Sequence, residues 1–216
     1  MEKVYRNSHY FFISVLFMVF IGFWKTYFSK FPTFEGITTP MQFHGIMSLI
    51  WLSIMIIQPI LIRQNQLELH RKIGQLSYIA VPLLILSMVI LMRLAFMRNT
   101  PPIIGQLDTS MIGIADIIFF LFCYGMAIYY RKNTQYHARY MVLSILPFMN
   151  PAWGRIDLPG PILALIIMIG LLIYERFHKK VYRPYALALP LYFTVYVLFI
   201  FFIKTADWKA FWWMFF

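Results

Sequence analysis

Two histidines stand in similar local sequences and are the residues best suited to bind a metal ion or a cofactor. His70 lies in LHRKIGQLSY and His137 in TQYHARYMVL, and each is followed by an arginine, Arg71 or Arg139. Two neutral imidazoles can ligate a haem iron or a transition metal, and arginines suit haem propionates. The same four residues could instead bind a phosphate or an anionic lipid head group. In a third interpretation they only mark the polar ends of membrane helices.

A second set of ionisable residues lies inside or beside apolar runs: His44, Arg93, Asp116 and Arg155. Ionisable side chains are costly inside a membrane and are functional candidates by default. We expect Arg93 and Asp116 to pair, because they lie at similar depths in antiparallel segments. With His44 and Arg155 they would form an outward-facing pocket for a small anionic ligand or a proton-coupled step. The alternative is that the pair only locks two helices together.

Other sequence signatures of chemistry are missing. The chain contains no H-x-x-x-H or C-x-x-C spacing, no Walker sequence, no G-x-S-x-G and no H-E-x-x-H. Its single cysteine, Cys123, excludes an intrachain disulfide. Gln58, which precedes Pro59 near the end of an apolar run, is interpreted as a structural residue that hydrogen-bonds across helices. Catalytic residues therefore stay unassigned at this point.

The composition indicates which elements must position these residues. The 216 residues are 61% hydrophobic and only 12% charged, whereas a soluble domain is about a quarter charged. The net charge of +11 would suggest a nucleic-acid partner, but the cations cluster at the ends of apolar runs and are read as topology signals. The sequence predicts an all-α, polytopic transmembrane bundle. Its expected partner is the lipid bilayer, and no nucleic-acid partner is expected.

Apolar runs of the length that a spanning helix needs predict about seven spans in one integral membrane domain, residues 1–216. The predicted spans are residues 9–28, 42–63, 75–97, 109–130, 138–153, 161–177 and 184–203. The fifth is short and contains Pro147 and Pro151, which predicts a kinked or partial span. Turn residues such as Asn65 and Asn133 separate the runs.

The cations predict the orientation. With the amino terminus in the cytoplasm, twelve of the 19 lysines and arginines fall at inner helix ends and seven at outer ones. The positive-inside rule therefore favours an amino terminus inside and a carboxyl terminus outside. The expected location is a bacterial-type inner membrane. The stretches around His70 and His137, and more loosely the one around His178, also suggest repeated helical hairpins. A common need for cations in cytoplasmic loops explains the likeness equally well.

Residues 43–78, FHGIMSLIWLSIMIIQPILIRQNQLELHRKIGQLSY, resemble a group of uncharacterised bacterial multi-pass membrane proteins. The shared pattern consists of His44, Gln58, His70, Arg71 and Gly74. More distantly, the histidine-bearing hairpins are similar to the cytochrome b561 superfamily, which implies a small helical bundle that binds haem through paired histidines. The chain departs from that superfamily because no single span carries two histidines at opposite membrane faces.

Two hypotheses for function follow. The first is a haem- or metal-binding, redox-type membrane protein that uses His70 and His137. The second is a non-enzymatic binding or transport module for a small anionic ligand or lipid, which uses the outer pocket. A purely structural membrane protein is the third interpretation. The sequence leaves open whether the protein is an enzyme, and whether it forms oligomers.

Overall fold

The computed structural model describes residues 3–97, 109–178 and 181–203. Within these ranges the secondary structure is helical and contains no strand, as the all-α prediction requires. A short 3₁₀ turn, Phe28–Lys30, follows the second helix. The α-helices are α1 (Lys3–Arg6), α2 (His9–Phe23), α3 (Thr39–Arg63), α4 (Leu67–Met97), α5 (Thr109–Tyr129), α6 (Thr134–Ser144), α7 (Leu146–Gly154), α8 (Gly160–Phe177) and α9 (Arg183–Ile203).

Several helices have the length and composition of membrane spans. Four are long and apolar enough to cross a bilayer: Thr39–Arg63, Leu67–Ala95, Gly160–Phe177 and Arg183–Phe201. The apolar helices His9–Phe23 and Gly113–Tyr129 are shorter. Large apolar side chains are exposed along these helices, among them Phe17 and Ile79, each 66% exposed. Exposed apolar surface on this scale is expected where lipid surrounds the helices.

The turn between α3 and α4 forms as its residues predict. Asn65 has a positive φ of 58°, a conformation that asparagine adopts more readily than most residues. The Gln66 amide donates to the Leu61 carbonyl at 2.8 Å, and the Asn65 amide donates to Ile62 at 3.1 Å. These two bonds are the Schellman pattern that satisfies the last carbonyls of a helix. Helix α4 begins at Leu67, eight residues before the predicted span, so His70 lies in its first turn rather than in a loop.

The fifth predicted span is divided into α6 and α7. The two helices meet at Ile145, and Pro147 follows in the first turn of α7. A proline ring collides with the carbonyl four residues earlier and has no N–H to donate, so α6 cannot continue unbroken into α7. Asn133 caps α6 through its side chain, which accepts the Tyr136 amide at 3.3 Å. Residues 134–154 together cover about 30 Å at 1.5 Å per residue.

Helix α5 lies at the centre of the bundle and positions most of the buried residues. It packs against α4, α6, α7 and α9, while α8 packs against α7 and α9. Phe119 and Phe120 of α5 are fully buried, as are Leu143 and Leu146 on either side of the α6–α7 break. Trp51 of α3 meets the Phe120 ring edge-on, with 5.4 Å between centroids. Side chains from α5 to α9 therefore share one interior.

Gly22 allows α2 to approach α7 closely. A Cβ at this position would lie 2.5 Å from the Ala152 carbonyl oxygen and 2.7 Å from the Ala152 Cα. Both atoms belong to the backbone, so no side-chain rotation can relieve the overlap. The contact therefore requires glycine, as small residues are required where membrane helices touch.

We predict that Gly22→Ala lowers the free energy of unfolding by about 1–3 kcal/mol, because the added methyl group forces α2 away from α7. Thermal unfolding in mild detergent measures the effect. The matched control is Gly125→Ala in α5, where an added Cβ meets no atom within 4 Å. That variant should keep its stability or gain up to about 1 kcal/mol from helix propensity. Equal losses in both variants would contradict the role given to the Gly22 contact.

Candidate functional site

The structure brings His70 and His137 together from two separate hairpins. Each is the fourth residue of its helix, His70 in α4 and His137 in α6. The charge of the His137 ring acts on His70, which places the two imidazoles in the same part of the bundle. The third histidine of the suggested repeat differs, because His178 lies at the end of α8 and is exposed. Of these three histidines, His70 and His137 therefore hold the same position in their helices and His178 does not.

The His137 ring is held in one orientation. Its Nδ1 lies 2.8 Å from the Ala127 carbonyl oxygen, which can only accept, so Nδ1 must carry the hydrogen. The neutral ring then presents a lone pair at Nε2. Metal-binding histidines commonly donate their second nitrogen to a carbonyl in this way.

Two buried polar atoms near His70 have no hydrogen-bond partner among the described residues. They are His70 Nδ1 and Gln58 Oε1. The Gln58 amide nitrogen donates to the His70 backbone carbonyl at 3.1 Å, so the glutamine side chain lies against α4. This contact agrees with the structural role predicted for Gln58. Buried polar groups nearly always have a hydrogen-bond partner, so these two atoms indicate a site where a ligand could bind.

The arginines that follow the two histidines differ in their surroundings. Arg71 is exposed, and its charge acts on His70. Arg139 is fully buried, and its Nη2 donates to Glu175 Oε2 at 2.7 Å, while Nη1 donates to the Gln135 carbonyl at 3.0 Å. Its guanidinium carbon lies 4.4 Å from the centroid of the Tyr5 ring. Arg139 is therefore committed to an internal ion pair, which explains its burial and limits its use as an anion-binding residue.

The partners of Arg139 form a buried cluster that the sequence analysis missed. Glu175 of α8 accepts the Tyr5 hydroxyl on Oε1, and the Tyr5 and Tyr185 hydroxyl oxygens lie 2.9 Å apart. Burial, followed by the neighbouring Tyr185, raises the pKa of Tyr5 far above 10, so that Tyr5 keeps its proton and donates. The available signal was Glu175 itself, an acid near the end of an apolar run that needs a buried partner.

His44 lies at the opposite end of α3 and α4 from His70. Its Nδ1 is 2.9 Å from Ser87 Oγ and its Nε2 is 3.4 Å from Ser48 Oγ, so both ring nitrogens have hydroxyl neighbours. Arg155 is close enough to act on the His44 charge. The Arg155 guanidinium also stacks over Phe23, 3.9 Å from the ring centroid. Arg155 therefore lies within electrostatic range of His44.

The expected pairing of Arg93 with Asp116 is not found among the described residues. Arg93 is exposed, whereas Asp116 is 3% exposed. Asp116 Oδ1 instead accepts the Asn150 side-chain amide at 2.7 Å and the Tyr196 hydroxyl. The prediction failed because position along a span gives only the depth of a residue. Which other helix the residue faces depends on how the helices pack. Arg93 and Asp116 therefore do not form the expected pair.

Asn150 of α7 links Asp116 of α5 to two tyrosines of α9. Its amide nitrogen lies 2.7 Å from the Tyr196 hydroxyl oxygen and 3.4 Å from that of Tyr192, whereas its own Oδ1 has no partner in the described part of the chain. A Cβ on Gly160 would lie 2.9 Å from the Asn150 Cα, so glycine at the start of α8 is required here. The regular spacing of tyrosines along α9 was the signal that could have revealed this centre.

The comparisons with known proteins leave the family open. The chain matches no family model, no curated protein and no solved structure. The resemblances to the bacterial multi-pass proteins and to the cytochrome b561 superfamily therefore stay predictions. Among the described residues, no group of three or more histidine, cysteine, aspartate or glutamate side chains is arranged to hold a metal ion.

We predict that Glu175→Gln destabilises the protein by about 3–5 kcal/mol, because Arg139 then keeps a buried charge without its partner. The control is Glu68→Gln, which breaks the exposed Glu68–Lys72 pair, also 2.7 Å long. That change should cost less than about 0.5 kcal/mol. Thermal unfolding of both variants in the same detergent gives the comparison. A loss of similar size in the two variants would refute a special role for the buried pair.

Proposed function

We propose that the chain is a seven-span membrane protein that binds a transition metal ion between His70 and His137. The four long helices, together with α2, α5 and the α6–α7 segment, make up the seven spans. The distribution of lysine and arginine supports an amino terminus in the cytoplasm. In this arrangement both histidines lie at the cytoplasmic end of the bundle.

The proposal rests on the two imidazole rings, each of which has a nitrogen atom that can bind a ligand. The Ala127 carbonyl oxygen lies 2.8 Å from His137 Nδ1 and accepts its hydrogen, which leaves His137 Nε2 available for a ligand. His70 Nδ1 is buried without a hydrogen-bond partner among the described residues. Imidazole nitrogens suit zinc, copper, iron and nickel. Gln58 Oε1, which also lacks a partner there, can supply an oxygen, and water or substrate can complete the coordination. Bound copper or iron would support electron transfer, and bound zinc would act as a Lewis acid.

A metal ion is favoured over haem and over an anionic ligand by the placement of the arginines. Haem needs partners for its propionates, and a phosphate or lipid head group needs free cations. Arg139 is bound to Glu175 inside the bundle, so that of these two arginines Arg71 alone stays available for an anion. The outer pocket for an anionic ligand is also less well supported, because Asp116 lies apart from Arg93. His44 and Arg155 are the two residues of that pocket that stay together.

We predict that protein purified in mild detergent contains a transition metal near one equivalent per chain, and that His70→Ala and His137→Ala each remove most of it. Elemental analysis measures the metal, and an absorption spectrum of the same sample distinguishes a bare ion from haem. His178→Ala is the matched control, because His178 is exposed at the end of α8 and should leave the content unchanged.

Three outcomes would overturn the proposal. A protein that is free of metal and cannot be loaded with zinc or copper ions would reduce His70 to a residue at a helix end. An intense Soret band lost in both variants would replace the metal ion by haem. Equal loss of metal in His178→Ala would indicate adventitious surface binding.

A further inference from the structure

Two carboxylates are buried in the described part of the bundle, and only one has an ionic partner there. Glu175 is 1% exposed and is bound to Arg139 at 2.7 Å. Asp116 is 3% exposed, and the groups that act on its carboxylate are the neutral side chains of Tyr196 and Asn150. An isolated carboxylate in an apolar interior is so unfavourable that it takes up a proton or a cation instead. The charge of Asp116 therefore has to be balanced by something other than a described side chain.

The surroundings of Asp116 can be followed helix by helix. From α9, Tyr192 and Tyr196 are the titratable groups that face it, and from α7 the neutral Asn150 does so. Helix α4 presents Met92, whose sulfur would lie 3.2 Å from a Cβ on Gly113, one turn before Asp116. Helix α6 carries its charged residue, Arg139, at the far end of the bundle.

We propose that Asp116 is an exchangeable proton-binding site inside the membrane, formed with Asn150 and Tyr196. The site is separate from the histidine pair and does not depend on a metal there. Uptake forms an O–H bond between a proton from water and the Asp116 carboxylate, and release breaks that bond and returns the proton to water. The Asn150 amide and the Tyr196 hydroxyl donate to Oδ1 and stabilise the ionised form while the proton is absent.

The hydrogen bonds favour a proton over a metal cation. Cations such as sodium and calcium bind oxygen atoms, whereas Asp116 faces an N–H donor and an O–H donor. Both donors converge on Oδ1, so the positive ends of two dipoles already occupy the space where a cation would bind. A proton on the carboxylate removes the charge and adds no volume.

The unpartnered oxygen of Asn150 is an independent observation that points to the same site. Asn150 is 5% exposed, and its Oδ1 has no donor within the described residues, although the amide nitrogen contacts three oxygen atoms. A buried acceptor of this kind is usually satisfied by water. A water molecule that donates to Asn150 Oδ1 would lie beside Asp116 and could deliver or receive the proton.

The broken helix explains how such a site can exist within the bilayer. Asn150 lies on α7, five residues after the break at Ile145, between Pro147 and Pro151. Discontinuous helices are tolerated at membrane depth where they line a site, and they place ion and substrate sites in many transporters. Gly160 brings α8 against the Asn150 backbone and so keeps the amide in position.

Infrared spectroscopy of the full-length protein in detergent tests the proposal, because a protonated carboxyl group has a C=O band that a carboxylate lacks. We expect this band at neutral pH in the wild-type protein and expect Asp116→Asn to remove it. Tyr196→Phe keeps the acid but deletes one hydrogen bond to it, and should shift the band to higher frequency. Glu68→Gln, at an exposed acid, is the control and should leave the band unchanged.

The melting temperature provides a second measurement. A carboxyl group that is protonated in the folded chain and ionised in the unfolded chain stabilises the fold at low pH, and this contribution is lost as the pH rises. The wild-type melting temperature should therefore fall between about pH 5 and about pH 9 by more than that of Asp116→Asn. A missing carboxyl band, or one that Asp116→Asn retains, would overturn the proposal. A melting temperature that rises with sodium chloride only when Asp116 is present would assign the site to a cation instead.

Discussion

The buried ion pair between Arg139 and Glu175 is the interaction on which the arrangement of the carboxyl-terminal helices depends. It joins α6 to α8, and the Tyr5 and Tyr185 hydroxyls extend it to α1 and α9. In an apolar bundle neither charge can be left alone, because the uncompensated partner would cost several kcal/mol. The pair therefore restricts how α6, α8 and α9 can rotate about their axes. That restriction in turn determines which faces meet further along the same helices.

The α6–α7 segment contributes residues to both candidate sites. It bears His137 and Arg139 near its start and Asn150 near its end. The division at Ile145 allows the two halves to face different neighbours: α6 lies against α5 and α9, and α7 lies against α2, α5 and α8. One broken helical segment thus contributes His137 at one end and Asn150, a member of the neutral polar centre around Asp116, near the other.

Whether a sequence-based prediction agrees with the structure depends on whether its signal is local or comes from residues far apart in the chain. Segment lengths and turn residues are local properties, so the apolar helices and the breaks at Asn65 and Asn133 were predicted near their observed positions. His70 and His137 hold equivalent places in two hairpins, each as the fourth residue of its helix, and the metal site expected between them stays a prediction. The pairing of Arg93 with Asp116 failed, because equal depth in two helices does not determine which sides face each other. Neither Asn150 nor Tyr196 was considered, since a neutral polar side chain gives little signal in an apolar sequence.

The sequence by itself determined that the chain forms apolar helices, where most of them end, and which ionisable residues are too costly to leave in lipid. These properties depend on hydrophobicity, on proline and asparagine chemistry and on charge, all of which act over a few residues. Only the tertiary structure decided which buried charge is compensated. Glu175 meets Arg139 across 36 positions of the chain, whereas Asp116 meets only neutral donors among the described residues. Helix rotation and packing determine such contacts, because they are set by the fit of side chains that lie far apart in the sequence.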